Sequence, residues 1–179
     1  MNRRRLWLSA AGVGALAGAA GFAFHLFQDA ERGSADANPA AVQALLAAQL
    51  PDLTGRDHAL ETWRGRVLVI NFWATWCAPC REEIPWFVRM QDRYGAQGLQ
   101  FVGIAIDTPQ QIADFARELS INYPLLVGGL ATMALVREAG NRSGVLPFTL
   151  VLDRQGNLVN RYVGGVKEAK LEAVIKSLL

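Results

Sequence analysis

The chain has 179 residues, of which 51% are hydrophobic and 19% charged, with a formal net charge of +2. This is one ordinary domain with an appendage, and it is too apolar for a disordered protein. The surplus charge belongs to the first 33 residues, where Arg3, Arg4, Arg5 and Arg32 outnumber Asp29 and Glu31. The neutral remainder carries no basic block, which excludes nucleic acid as a partner.

Arg3, Arg4 and Arg5 precede an uncharged run from Leu6 to Phe27. Positive charge followed by apolar residues marks an export signal or signal anchor. As a helix the run spans about 33 Å at about 1.5 Å per residue, enough for a bilayer core of about 30 Å. That length favours an uncleaved anchor over residues 1–28, whereas Ala35-Asp36-Ala37 offers a small-x-small site for cleavage. The arginines stay cytoplasmic by the positive-inside rule, so the rest of the chain is expected across the inner membrane, in the periplasm, an oxidising setting. Residues 29–48 read as a linker, with Pro39 to Leu50 a short helix or strand leading into a domain over 49–179.

Arg66 to Trp73 is a near-continuous apolar run, the pattern of a strand buried on both faces. Pro79 to Tyr94 follows at helical spacing, with Gly95 as its expected stop. Leu99 to Ile106 reads as a second buried strand, Pro109 to Leu119 as a helix, Tyr123 to Val127 as a short strand and Ala131 to Ala139 as a short helix. Phe148 to Leu152 and Leu158 to Val163 are strands joined by the turn-rich Asp153-Arg154-Gln155-Gly156-Asn157, which predicts an antiparallel hairpin. Lys167 to Leu178 closes as an amphipathic helix with Leu171, Val174, Ile175 and Leu178 inward. The alternation predicts an α/β sandwich: a mainly parallel sheet with an antiparallel edge and helices on both faces.

Cys77 and Cys80 are the only cysteines, and they fall where the first long strand meets its helix. A structural disulfide closing so small a ring removes little unfolded-chain entropy. A structural zinc site needs four ligands, and the histidines are only His25 and His58. A redox dithiol fits the local physics, because unpaired N–H groups at a helix N-terminus stabilise a thiolate. Three-residue spacing lets the second sulfur resolve a mixed disulfide formed by the first. Cys77 is expected to be the exposed nucleophile and Cys80 the buried resolving thiol.

The stretch Phe72-Trp73-Ala74-Thr75-Trp76-Cys77-Ala78-Pro79-Cys80 resembles the thioredoxin active-site pattern. With Arg81-Glu82-Glu83-Ile84-Pro85, it is similar more specifically to the membrane-anchored TlpA/ResA/CcmG group of thiol–disulfide oxidoreductases. The resemblance runs from about Leu50 to the C-terminus. It implies a thioredoxin-like three-layer sandwich with a central mixed sheet, and an extra segment at roughly Pro109 to Val127. It also implies reduction of protein disulfides outside the cytoplasm, in some members during cytochrome c maturation. The redox centre would be the Cys77–Cys80 disulfide with no further cofactor and no metal, re-reduced by a membrane electron donor of the CcdA/DsbD type. A monomer is assumed.

The same resemblance makes Pro147 the cis-proline opposite the dithiol, with the Leu146 backbone free to pair with an extended substrate. Trp76 would contact partners or shield the dithiol, and Trp73 would pack in the core. Asn71 stands where thioredoxins carry a buried aspartate, and an amide cannot take a proton near neutral pH. Glu83 matches a glutamate of the ResA-like subgroup and would relay the proton of Cys80. Alternatively, Glu83 is a solvated helix residue pairing with Arg81 or Arg89. Two other functions draw on the same residues. A binding protein would hold an apocytochrome or a copper chaperone client with redox turnover secondary, and two thiolates could hold one Cu(I). A peroxiredoxin would need two residues between its threonine and cysteine and a proline further upstream, whereas Thr75 is separated from Cys77 by Trp76 alone.

Overall fold

The computed structural model describes residues 38–179. The expected anchor or signal over residues 1–28 lies outside them, and among the described residues no helix is long and apolar enough to cross a membrane.

Helix α1 (Pro39–Ala47) starts from Asn38, whose side chain accepts from the Ala40 N–H. It falls in the stretch read as linker, yet its Ala41, Val42, Leu45 and Leu46 are buried. Those positions recur at the spacing that gives a helix one apolar face. Strands β1 (Gln49–Pro51) and β2 (Asp57–Ala59) form an antiparallel hairpin, and a 3₁₀ turn over Leu60–Trp63 leads on to β3 (Val67–Trp73). The sequence gives no alternating apolar pattern for this hairpin. It is organised by Asp52, whose Oδ1 accepts from the Thr54 and Arg56 N–H groups and whose Oδ2 meets His58 Nε2 at 2.9 Å.

Strand β3 leads into α2 (Ala78–Tyr94), β4 (Leu99–Ala105), α3 (Pro109–Glu118) and β5 (Leu125–Val127). Then come α4 (Leu130–Glu138), β6 (Phe148–Leu152), β7 (Leu158–Val163) and α5 (Glu168–Leu178). The sheet order is β5-β4-β3-β6-β7. β4 is parallel to β3 and β5 to β4, while β6 runs antiparallel to both β3 and β7. The expected thioredoxin-like α/β sandwich with a mixed sheet and a closing hairpin is therefore present. Helix α2 ends at Tyr94 with Gly95 as its C-cap, as expected; Gly95 stays right-handed and opens a 3₁₀ turn, and Gly98 reverses the chain at φ 106°, a region glycine enters without steric cost.

All seven residues of β3 are buried, and successive side chains on a strand face opposite ways. Val67, Val69 and Trp73 join Ile84 and Phe87 of α2, Ile112 and Phe115 of α3, and Leu171 and Ile175 of α5. Leu68, Ile70 and Phe72 join Val42, Leu45 and Leu46 of α1 and Val136 of α4. Each such side chain contributes about 1.5–3 kcal/mol by leaving water, which fixes β3 as the central strand. Asn71 shares its face with Val69 and Trp73 and so is aimed at α2. The strand thereby delivers both the active-site loop, at its C-terminal end, and one polar group beneath it.

Candidate active site

Cys77 is the N-cap of α2, with Pro79 in the first turn. Cys77 and Cys80 are joined as a disulfide, and Cys77 Sγ accepts from the Cys80 backbone N–H at 3.3 Å. A cap of this kind satisfies one of the N–H groups that a helix start leaves unpaired. The expectation of an exposed Cys77 needs correction. It retains only 5% of its surface and Cys80 none, because the capping sulfur folds over the helix end while Trp76, Ala78 and Pro79 stay exposed around it. The remaining access is nevertheless on Cys77. Trp76 is 70% exposed beside the disulfide, whereas Trp73 is fully buried against Phe115, ring centroids 5.2 Å apart.

The Leu146–Pro147 peptide bond is cis. Pro147 O accepts from the Gly164 N–H at 2.8 Å, and a Cβ at the adjacent Gly165 would stand 3.8 Å from Pro79 Cβ. Leu146 packs on the cluster that contains both cysteines. The 146–147 and 164–165 segments thus meet the Cys77-Ala78-Pro79-Cys80 turn from the β6–β7 side of the sheet.

Glu83 follows Cys80 by three residues on the buried stripe of α2 and is 1% exposed. It does not pair with arginine: Arg81 lies 3.6 Å from Glu118 and Arg89 2.9 Å from Glu168. Instead Oε1 accepts from Asn71 Nδ2 at 3.1 Å and Oε2 from the Val166 N–H at 3.2 Å. Burial dominates and pushes the carboxyl up to about 7, while these two donors partly hold it down. A group poised there exchanges protons at neutral pH. Glu82, by contrast, is on the surface.

Asp107 and Phe115, not singled out from sequence, also shape the site. Asp107 accepts from the Thr75 hydroxyl. Arg81 donates to Thr75 O at 3.4 Å and lies 4.8 Å over the Phe115 ring. The loop carrying Trp76 and Cys77 is therefore braced by α3 and the turn before it, within the extra segment anticipated from the resemblance. No pattern along the chain links residues 75, 81, 107 and 115; only the return of α3 against the sheet does so.

Among the described residues no group of three His, Cys, Asp or Glu side chains is arranged as a metal site. A groove of about 420 Å³, lined by residues including Trp63, Ile121, Tyr123 and Pro124, contains neither cysteine.

The sequence profile of the AhpC/TSA family matches residues 42–172. The ResA thiol-disulfide oxidoreductase of Geobacillus kaustophilus is 28% identical over 130 residues, 72% of each chain. That of Halalkalibacterium halodurans is 26% identical over 172 residues, 96% of this chain and 93% of the other. Among solved structures, a thioredoxin-family thiol:disulfide interchange protein from Chlorobium tepidum aligns with a TM-score of 0.66 at 26% identity, covering 73% of this chain and 92% of that one. A DsbF homologue from Corynebacterium diphtheriae aligns with a TM-score of 0.65 at 28% identity, covering 73% and 83%. With the fold and the cysteine turn described above, these matches establish that the chain belongs to the AhpC/TSA family, as a thioredoxin-fold member homologous to the ResA thiol-disulfide oxidoreductases.

Proposed function

We propose that this protein is a thiol–disulfide oxidoreductase that reduces protein disulfides outside the cytoplasm. The observation that carries this reading is the Cys77–Cys80 disulfide on the first turn of α2, with the Cys80 N–H directed at Cys77 Sγ. In the reduced protein the same N–H and the positive end of the helix favour a Cys77 thiolate. That thiolate attacks one sulfur of a substrate disulfide, and the other substrate sulfur leaves as a thiolate. Cys80, its proton passed to the Glu83 carboxylate, then attacks Cys77 Sγ and releases the second substrate thiol. Two electrons have moved to the substrate, and the Cys77–Cys80 disulfide is the oxidised product.

Closing the cycle takes two electrons and two protons from a donor. The N-terminal apolar run supports a membrane donor of the CcdA/DsbD type, with the domain anchored on the periplasmic side. The ResA names of the relatives support thiol–disulfide exchange, the Ala-Pro between the cysteines supports the reducing direction, and cytochrome c maturation is the setting proposed for it. Trp76 and the Leu146 backbone form the docking edge for an extended substrate.

The test is trapping. Cys80→Ser should accumulate a mixed disulfide between Cys77 and a disulfide-bonded protein substrate, and Cys77→Ser should accumulate none. Equal trapping by both variants would refute the assigned order of attack. A reduction potential near about −270 mV supports the reducing role, and one near about −120 mV refutes it.

A further inference from the structure

Asn71 is 1% exposed in the middle of β3, directly across from Thr149 of β6 in the antiparallel register. Its Nδ2 donates twice, to Glu83 Oε1 at 3.1 Å and to Thr149 Oγ1 at 3.0 Å, while its Oδ1 is buried without a partner. A side-chain amide has two donor hydrogens and one acceptor oxygen. Here both donors are used and the acceptor is left empty, although turning the amide over would exchange them. This orientation suits an ionised Glu83, which accepts only, and each of its oxygens then has a donor: Asn71 on one side, the Val166 N–H on the other.

We propose that Asn71 is the positioning residue for Glu83: its donated hydrogen bond holds the carboxyl in place and offsets part of the burial that favours the neutral acid. The inference rests on Glu83 as the proton carrier of the reaction proposed above. Turning the amide over would present Oδ1 to a protonated Glu83, but a bond between neutral groups is weaker than one to a charge. The net effect of Asn71 therefore favours the anion. An amide, unlike an aspartate, does this without competing for the proton. Position 71, held by an acid in thioredoxins, thus supports a titrating group that has moved to the facing helix.

The other groups around Glu83 do not replace this bond. The Tyr123 phenol, ahead of β5, is itself raised by burial first and by the Glu83 charge second. Cys80 lies one helical turn back on α2. On α5, Glu168 is engaged by Arg89, and Lys170 lies 5.7 Å over the Tyr162 ring.

The experiment is a pH titration of the Glu83 carboxyl carbon by carbon-13 NMR in the full-length oxidised protein, with the signal assigned by its loss in Glu83→Gln. The wild type is expected to titrate near 7. Asn71→Leu removes the donor with the same branching at the side-chain end and should raise the proton affinity of Glu83 about tenfold. Asn71→Asp keeps the shape but adds a carboxylate, and should raise it at least as far. If Asn71→Leu does not fold, Asn71→Ala, which removes the same donor without adding bulk or charge, decides. A merely structural role would lower stability and leave the titration unchanged; that result, with the wild type near 7, overturns the role of Asn71 alone. A wild-type midpoint in the ordinary carboxyl range would instead overturn the reading of Glu83 on which it rests.

Discussion

Replacing Glu83 by glutamine should remove one pH-dependent loss of stability. The unfolded chain gives up this proton near 4.5, whereas the folded chain holds it until about 7. Between those values the folded state binds the extra proton, so its stability falls as pH rises. At about 1.4 kcal/mol per pH unit, the stability lost from this one group reaches about 3 kcal/mol by pH 8. Glu83→Gln keeps the size and removes the titration. Its amide oxygen can accept from the Val166 N–H, and Asn71 can turn over to accept from its NH₂ group. Urea unfolding of the oxidised proteins should then find the variant gaining on the wild type by about 3 kcal/mol between pH 4.5 and 8, an order-of-magnitude figure. Taking the difference cancels every other group that titrates in both. A constant difference across that range would refute a buried, raised Glu83. Activity should move the opposite way, because general acid–base assistance is worth about 10²–10⁴-fold and glutamine supplies none to Cys80.

Two further substitutions separate the frame from the site. Gly103→Ala puts a Cβ 2.7 Å from Leu125 Cδ2 and 3.0 Å from Trp73 Nε1, and overpacking of this kind costs about 1–3 kcal/mol; thermal unfolding should show a lowered midpoint with the same secondary structure. Trp76→Ala removes a side chain that is 70% exposed, so stability should change by less than about 0.5 kcal/mol. The KM for a protein disulfide should rise while reactivity toward a small disulfide is kept, and equal loss on both substrates would count against a docking role.

The elements that were legible in the sequence are those whose burial shows as an unbroken or a periodic apolar pattern. Strand β3 is buried on both faces, and α2 carries Ile84 and Phe87 on its inward stripe. The β6–β7 hairpin showed because Asp153-Arg154-Gln155-Gly156-Asn157 has turn chemistry: Asp153 Oδ1 accepts from the Gln155 and Asn157 N–H groups, and Gly156 takes φ 84°. The β1–β2 hairpin did not show. Its strands have three residues each, too few for alternation, and its turn depends on one carboxylate. Helix α1 was legible only as a short helix or strand leading into the domain, because Ala and Leu look alike whether they meet lipid, solvent or a sheet. Only its packing with Leu68, Ile70 and Val136 tells them apart.

The site divides along the same line. Cys77 and Cys80 were legible because their chemistry needs only a spacing and a helix start, both local. Glu83 was half legible: three residues after Cys80 places it on a neighbouring helical position, but the choice between solvent and core depends on α5 closing over α2. The Val166 N–H on Oε2 completes that choice, and a backbone donor 83 residues away leaves no trace in side-chain identity. Asn71 was read as a missing proton acceptor. In the fold it is a donor to the acceptor that replaced it. The chemistry of the pair resides in neither residue alone: without Asn71 the carboxyl at position 83 would keep only the Val166 N–H against burial, and a lone amide at position 71 would have nothing to orient. Their joint presence, with one on the central strand and the other on the active-site helix, keeps a proton-exchanging group within a turn of Cys80 at neutral pH.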